Sequence, residues 1–422
     1  MKGSQLTYMS NVFTAGYVIG QIPAVILITR VRPSLIVPSA EILWSIASFS
    51  CAAVTNVNQL YGLRFLVGFF EGAYFPCIVH LISSWYTKQE RAKRVVLFYS
   101  TSTMASMFSG YLQAGVYKGL NGRMGKEGWV CAVLARHEEY RAAKHPFKQQ
   151  WLFVITGVIS LASSLWNFAA LPDFPENTRA FYLSKDEAEF ARTRLLQYGY
   201  APLGKSSWNR TKIFRIMKQW QFWVLPIGYF FVQSSLPSQQ PVFNLWLKAE
   251  GYSVSQVNVL PTIAPGIGVF AQIAAGMLSD SPLLQGRRWE AIAFLQAGTF
   301  FSAVVLAVWN VSRNLKFAAY CLTYMSAGVP GLYYAWFPEL IPHDHEMRGF
   351  MVAFSNIASY INQIWWSDAV WRTVESPRFH SGFVGASVMG VALVLTTLLM
   401  HFLEERDRRS EKQVVDNDGQ VE

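Results

Sequence analysis

Two residues of opposite charge sit seven apart in an otherwise apolar stretch: Arg64 and Glu71, within Arg64-Phe-Leu-Val-Gly-Phe-Phe-Glu-Gly-Ala-Tyr-Phe-Pro76. On a helix they lie about 20° apart around the axis and roughly 10 Å apart along it. Burying either charge in hydrocarbon costs about 2.5–3.5 kcal/mol on insertion scales. The pair is therefore expected to face protein or a wet cavity. A guanidinium stays charged and grips a carboxylate through two parallel hydrogen bonds, so Arg64 is the candidate for binding an organic anion. A carboxyl group held away from bulk water can load and release a proton, so Glu71 is the candidate for proton coupling. The same two residues also fit a fixed ion pair. His80, further along the stretch, reads either as a proton-exit residue or as a packed interior histidine.

A second polar set interrupts a later apolar run: Gln233-Ser-Ser-Leu-Pro-Ser-Gln-Gln-Pro-Val-Phe-Asn244. Two prolines break the helix there, and irregular backbone at membrane depth is tolerated where it lines a cavity. Gln233, Gln239, Gln240 and Asn244 are thus substrate-contact candidates. Tyr333 and Tyr334, next to Gly331 and close to Trp336, fit an aromatic cavity wall or ordinary packing. Asn356, Asn362 and Gln363 read as polar contacts between helices. Asp280, Arg287 and Arg288 read as an ion-pair clamp between helices, apart from the substrate. No Walker loop and no nucleophile–base pair is present, so neither ATP hydrolysis nor another enzyme activity is expected, and no cofactor is implied. The four cysteines, Cys51, Cys77, Cys131 and Cys321, lack metal-ligand spacing.

The elements that carry these residues are apolar runs long enough to span a bilayer, which takes about 20 residues. Of 422 residues, 52% are hydrophobic and 15% aromatic, and the mean hydropathy is positive. A soluble chain does not carry ten or so separate runs of this length. The pattern predicts an all-α, polytopic transmembrane bundle. Spans fall near 6–28, 35–54, 60–86, 95–117 and 150–171, then near 220–246, 257–279, 290–309, 317–337, 350–371 and 383–403. This divides the chain into a transmembrane half over 1–171, a hydrophilic linker over 172–219, a second half over 220–403 and a charged tail over 404–422 without regular structure. Within the linker, Ser184 followed by Glu187 predicts a capped amphipathic helix.

The formal charge of +10 is explained by orientation rather than by a nucleic-acid partner. The segments 29–34, 87–94, 172–219, 280–288 and the tail are basic, and they alternate with the charge-poor segments 55–59, 248–255 and 310–316. The basic set faces the cytoplasm by the positive-inside bias, which places Met1 outside. Five spans before the linker against six after it point to an additional N-terminal helix in the native protein. Val130 to Gln149 interrupts the outer side with Arg136, Arg141, Lys144 and Lys148. Removing it joins Trp129 to Gln150 in a short loop. A valine codon begins with GT and a glutamine codon can end in AG, so a translated intron and an ordinary outer loop both fit.

Gly276-Met-Leu-Ser-Asp280 followed by Gly286-Arg-Arg288 resembles the signature loop of the major facilitator superfamily, with a longer interval between Asp280 and Gly286. Asn11 to Pro23, Arg64 to Glu71, Ser84-Trp-Tyr86 and Pro172-Asp-Phe-Pro-Glu176 extend the likeness to the fungal anion–cation symporter branch, which includes allantoate, nicotinate and pantothenate permeases. The resemblance implies twelve helices in two six-helix halves, of which eleven are present here. It implies a cavity lined by the first, fourth, seventh and tenth helices. It implies a proton-coupled importer of a small organic anion, monomeric, in the plasma membrane. It also supports Arg64 as the anion-binding residue. A non-transporting sensor of the same fold, or a truncated inactive product, remains the alternative.

Overall fold

The computed structural model describes residues 5–28, 30–54, 56–120, 150–197, 209–342 and 344–418. The proposed insertion over 130–149 lies outside them. The helices are α1 (Gln5–Ile28), α2 (Pro33–Ser50), α3 (Val57–Glu71), α4 (Tyr74–Trp85), α5 (Lys88–Leu120), α6 (Gln150–Ala170), α7 (Lys185–Gln197), α8 (Arg210–Met217), α9 (Trp220–Ser234), α10 (Val242–Ala249), α11 (Val254–Val259), α12 (Ile263–Ser279), α13 (Arg288–Val308), α14 (Arg313–Leu322), α15 (Val329–Leu340), α16 (His345–Val370) and α17 (His380–Asp418). Successive pieces α3–α4, α9–α10, α11–α12 and α14–α15 each make one rod. The bundle therefore has eleven rods among the described residues, five before the linker and six after it. Among the described residues, five stretches are long and apolar enough by composition to cross a membrane; several others fall short because breaks and polar residues divide them.

Local chemistry sets the boundaries. Pro33 opens α2 at the first turn, where no N–H is needed. The Asn56 side chain caps α3 by accepting from the Asn58 N–H, and Asp344 caps α16 by accepting from the Met347 N–H at 2.9 Å. The stretch expected as one helix over 60–86 breaks between Glu71 and Tyr74. Pro76 supplies no N–H to the Gly72 carbonyl, so the ladder cannot run through. At Pro237–Gln239 a short 3₁₀ turn separates α9 from α10. The predicted linker cap is present: Ser184 N–H donates to Glu187 Oε2 at 2.9 Å, and Glu187 N–H donates to Ser184 Oγ at 3.2 Å. The tail differs from expectation. Residues 404–418 continue α17 as helix. Arg408 pairs with Glu404 and Arg409 with Glu405 one turn apart. Indole N–H groups of Trp336 and Trp220 hold Glu404 and Asp407 at 2.9 and 2.8 Å.

The rods approach closely where they carry glycine. On α1, a Cβ at Gly16 would stand 2.2 Å from the Phe65 carbonyl oxygen; on α3, one at Gly68 would stand 2.2 Å from the Phe13 oxygen. Gly20 and Gly72 extend this reciprocal contact, and it holds α3 against α1 along the Arg64–Glu71 segment. Across the two groups of rods, α5 packs on α12 and α15. A Cβ at Gly276 would meet Val96 Cβ at 3.1 Å, and one at Gly331 would meet Val96 Cγ2 at 3.1 Å. The largest buried cluster sits on this seam and includes Val96, Tyr229, Leu332, Tyr334 and Trp336.

Candidate functional site

Two ends of the bundle differ. At the linker end, Arg288 is fully buried. It donates to Glu339 Oε1 at 2.8 and 3.0 Å, to Ser279 Oγ at 2.8 Å, and to Asp280. Asp280 Oδ2 in turn accepts from the Lys93 backbone N–H at 2.9 Å. One guanidinium with two carboxylates thus ties the α12–α13 connection to α15, and Asp280 reaches across to α5. Arg287, grouped with these residues on sequence, points outward with 53% of its side chain exposed and pairs with Glu290 at 2.6 Å. Glu339 was not singled out from sequence. The linker also docks here: Arg194 of α7 pairs with Glu90 at 3.1 Å, and Asp173 accepts from the Ser34 N–H at 3.0 Å.

Toward the opposite end the bundle opens into a cavity of about 1460 Å³. Its floor is aromatic. Tyr99 of α5 and Tyr229 of α9 approach hydroxyl to hydroxyl at 3.3 Å, and Phe75 of α4 lies 5.4 Å from Tyr99 between ring centres. Tyr334 seals the floor from below at 4.6 Å from Tyr229 and is 0% exposed. One wall is a hydroxyl face on α5, with Thr101, Ser102, Thr103 and Ser106. The facing wall is an amide ladder that runs from α9 and the turn after it to α16. Gln239 donates to Gln233 at 3.3 Å, Gln363 donates to Gln239 at 3.2 Å, and Ser367 donates to Gln240 at 3.3 Å. Asp368 is the single Asp, Glu, Lys or Arg among the described lining residues.

The sequence-derived residues therefore separate. Gln233, Gln239 and Gln240 line the cavity. Asn244 stands outside it and donates to the Val257 carbonyl at 3.2 Å, joining α10 to α11. Tyr334 packs beneath the floor against Tyr229 and is not among the lining residues. Tyr333, on the adjacent face, donates to the Leu225 carbonyl at 3.0 Å and packs inside the last six rods. Arg64 and Glu71 are partly buried on α3 and are not among the lining residues. Glu71 is within electrostatic reach of Arg64 and of Tyr17 and Tyr360. Those two tyrosines do line the cavity, with rings 4.4 Å apart. His80 is buried between Phe174, 5.5 Å away, and the Gly349 backbone of α16.

Sequence reasoning missed Tyr17, Tyr99, Tyr229 and Tyr360, and the hydroxyl face of α5. The run Ser100-Thr-Ser-Thr103 with Ser106 carried a signal, since hydroxyls three and four apart share one helix face. Asn356 and Gln363, read as helix contacts, also line the cavity; Asn356 donates to Gln21 of α1 at 3.1 Å and so bridges the two groups of rods. The lining draws on α1, α5 and α16 as much as on the helices the resemblance implied.

Comparison with known proteins agrees with this architecture. Residues 1–367 match the sequence pattern of the Major Facilitator Superfamily. A pantothenate transporter, liz1, of Schizosaccharomyces pombe is 29% identical over 99% of this chain and 76% of its own length. The vitamin H transporter of Saccharomyces cerevisiae is 25% identical over 97% of this chain and 66% of its own. Pantothenate transporter FEN2 of the same yeast is 23% identical, covering 98% and 78%. Among solved structures, the proton:xylose symporter XylE superposes with a TM-score of 0.67 at 15% identity, covering 94% of this chain and 85% of that one. The chain belongs to the major facilitator superfamily, a family of membrane transporters rather than enzymes.

Proposed function

We propose that the protein imports a small organic anion together with a proton by alternating access between the rods before and after the linker. The observation that carries this reading is the cavity: polar-walled, open at one end, and closed at the other by an aromatic floor above a buried ion-pair cluster. The basic linker end is assigned to the cytoplasm, so the conformation is outward-open. Relatives named for pantothenate and vitamin H supply the substrate class. Both compounds carry one carboxylate and a neutral polar body. The amide ladder and the α5 hydroxyls match such a body by hydrogen bonding.

Charge balance links anion to proton. Arg64 and Glu71 together are neutral. An anion that engages Arg64 brings a net negative charge into a poorly solvated site, and a proton on Glu71 restores neutrality. Tyr17 and Tyr360 line the cavity within electrostatic reach of Glu71 and are the proposed proton route. Asp280, Arg288 and Glu339 hold the linker end shut until the loaded site closes at the other end.

The test is uptake into proteoliposomes holding the full chain, with radiolabelled pantothenate, vitamin H and nicotinate offered separately. Accumulation of one of them, driven by an inside-alkaline gradient and abolished by a protonophore, is expected. Uptake that is unchanged without the gradient overturns the coupling, and uptake of none of the three overturns the substrate class.

A further inference from the structure

A second carboxyl group lies inside the first five rods, and neither the motifs nor the mechanism above uses it. Glu41 stands eight residues after Pro33 on α2, about 12 Å from the linker end by helical rise. It is 5% exposed, so it faces protein and not lipid. Its Oε2 accepts from Asn167 Nδ2 of α6 at 2.7 Å. Of the helices packed on α2, neither α1 nor α6 contains Asp, Glu, Lys, Arg or His. On α3 are Arg64 and Glu71; on α4 are His80 and Tyr74. Tyr61 of α3 and Cys77 of α4 also titrate, and Tyr74 lies within electrostatic reach of the Glu41 carboxyl. Among the described residues Glu41 makes no ion pair. Tyr74 also lines the cavity, its ring set edge-on to Trp44 at 5.8 Å.

A buried carboxylate without a counter-ion is costly at membrane depth, and such groups mark ion and proton paths. We propose that Glu41 is a second proton-carrying carboxyl group, reached from the cavity past Tyr74 and held in place by Asn167. One proton passes from cavity water to a Glu41 carboxylate oxygen and later returns to water; nothing else is consumed. Glu71 shares its environment with an arginine and answers to the substrate's charge. Glu41 has no such partner, so it responds to water access alone. The proposal rests on the proton-coupled reading above.

Two measurements on the reconstituted full chain decide it. In infrared difference spectra taken across a pH titration, a protonated-carboxyl band is expected that Glu41→Gln removes and Glu41→Asp retains at a shifted frequency. Glu71→Gln removes a different band. An unchanged band in Glu41→Gln overturns the assignment. In the same vesicles, Glu41→Gln is expected to lower gradient-driven accumulation of radiolabelled pantothenate at least tenfold relative to pantothenate exchange at equal pH. Equal loss of both, with Glu41→Asp equally impaired, marks a packing residue and overturns the proposal. If the unaltered protein takes up no pantothenate, the substrate reading fails and the infrared result alone decides on Glu41.

Discussion

Two arginine–carboxylate sets among the described residues, Arg288 with Asp280 and Glu339 and Arg64 with Glu71, are built differently. Around Arg288 the pairing is dense: two carboxylates and a hydroxyl accept from the guanidinium, and a backbone N–H donates to Asp280, in a cluster whose ion-paired side chains are at most 1% exposed. Around Arg64, Glu71 of the same helix lies within electrostatic reach, and both residues keep partial exposure. A dense buried cluster resists change, because removing one member strands the others. A set with some access to solvent can exchange partners. The first suits a lock on a conformation, and the second suits a site that meets ligands.

Substitutions that separate these two behaviours can break the comparison. The largest effect is expected from Arg288→Met, which leaves Asp280 and Glu339 buried without their cation. It should cost about 3–5 kcal/mol and lower both the melting temperature in detergent and the folded yield. Next is Gly68→Val, whose added carbon falls on the Phe13 carbonyl oxygen. Overpacking of about 1–3 kcal/mol is expected, with α3 displaced from α1, read as a lower melting temperature and lost uptake. Arg64→Ala should leave the melting temperature within a few degrees while abolishing anion uptake. If it instead destabilises as Arg288→Met does, Arg64 belongs to a lock. Gln239→Ala should raise the KM for uptake by about two- to tenfold, the equivalent of one hydrogen bond. Arg287→Ala is the contrast within the signature loop. Its exposed pair with Glu290 contributes less than about 1 kcal/mol, so stability and uptake should both hold.

Apolar run length, the break at Pro237 and the linker cap are legible directly, whereas the break before Pro76 is not. The break at Pro237 and the Ser184–Glu187 cap are decided by residues a few positions apart, so local chemistry suffices. The tail's charges read as solvent-seeking, whereas their spacing of four lets them pair along α17 and two distant tryptophans anchor the segment. Arg287 and Arg288 look equivalent as neighbours in sequence. Successive residues on a helix start point about 100° apart, so one is buried against Glu339 and the other meets solvent.

By itself the sequence determined the all-helical membrane architecture and the presence of buried charge, because each follows from hydrophobic length and the cost of a charge in hydrocarbon. The tertiary structure alone decided which polar residues share a cavity. Tyr17, Tyr99, Tyr229, Gln239 and Gln363 come from four different rods, and Glu41 meets Asn167 across 126 positions. Such meetings depend on which faces the glycine contacts bring together, and helical periodicity assigns a residue to a face without saying what that face will touch.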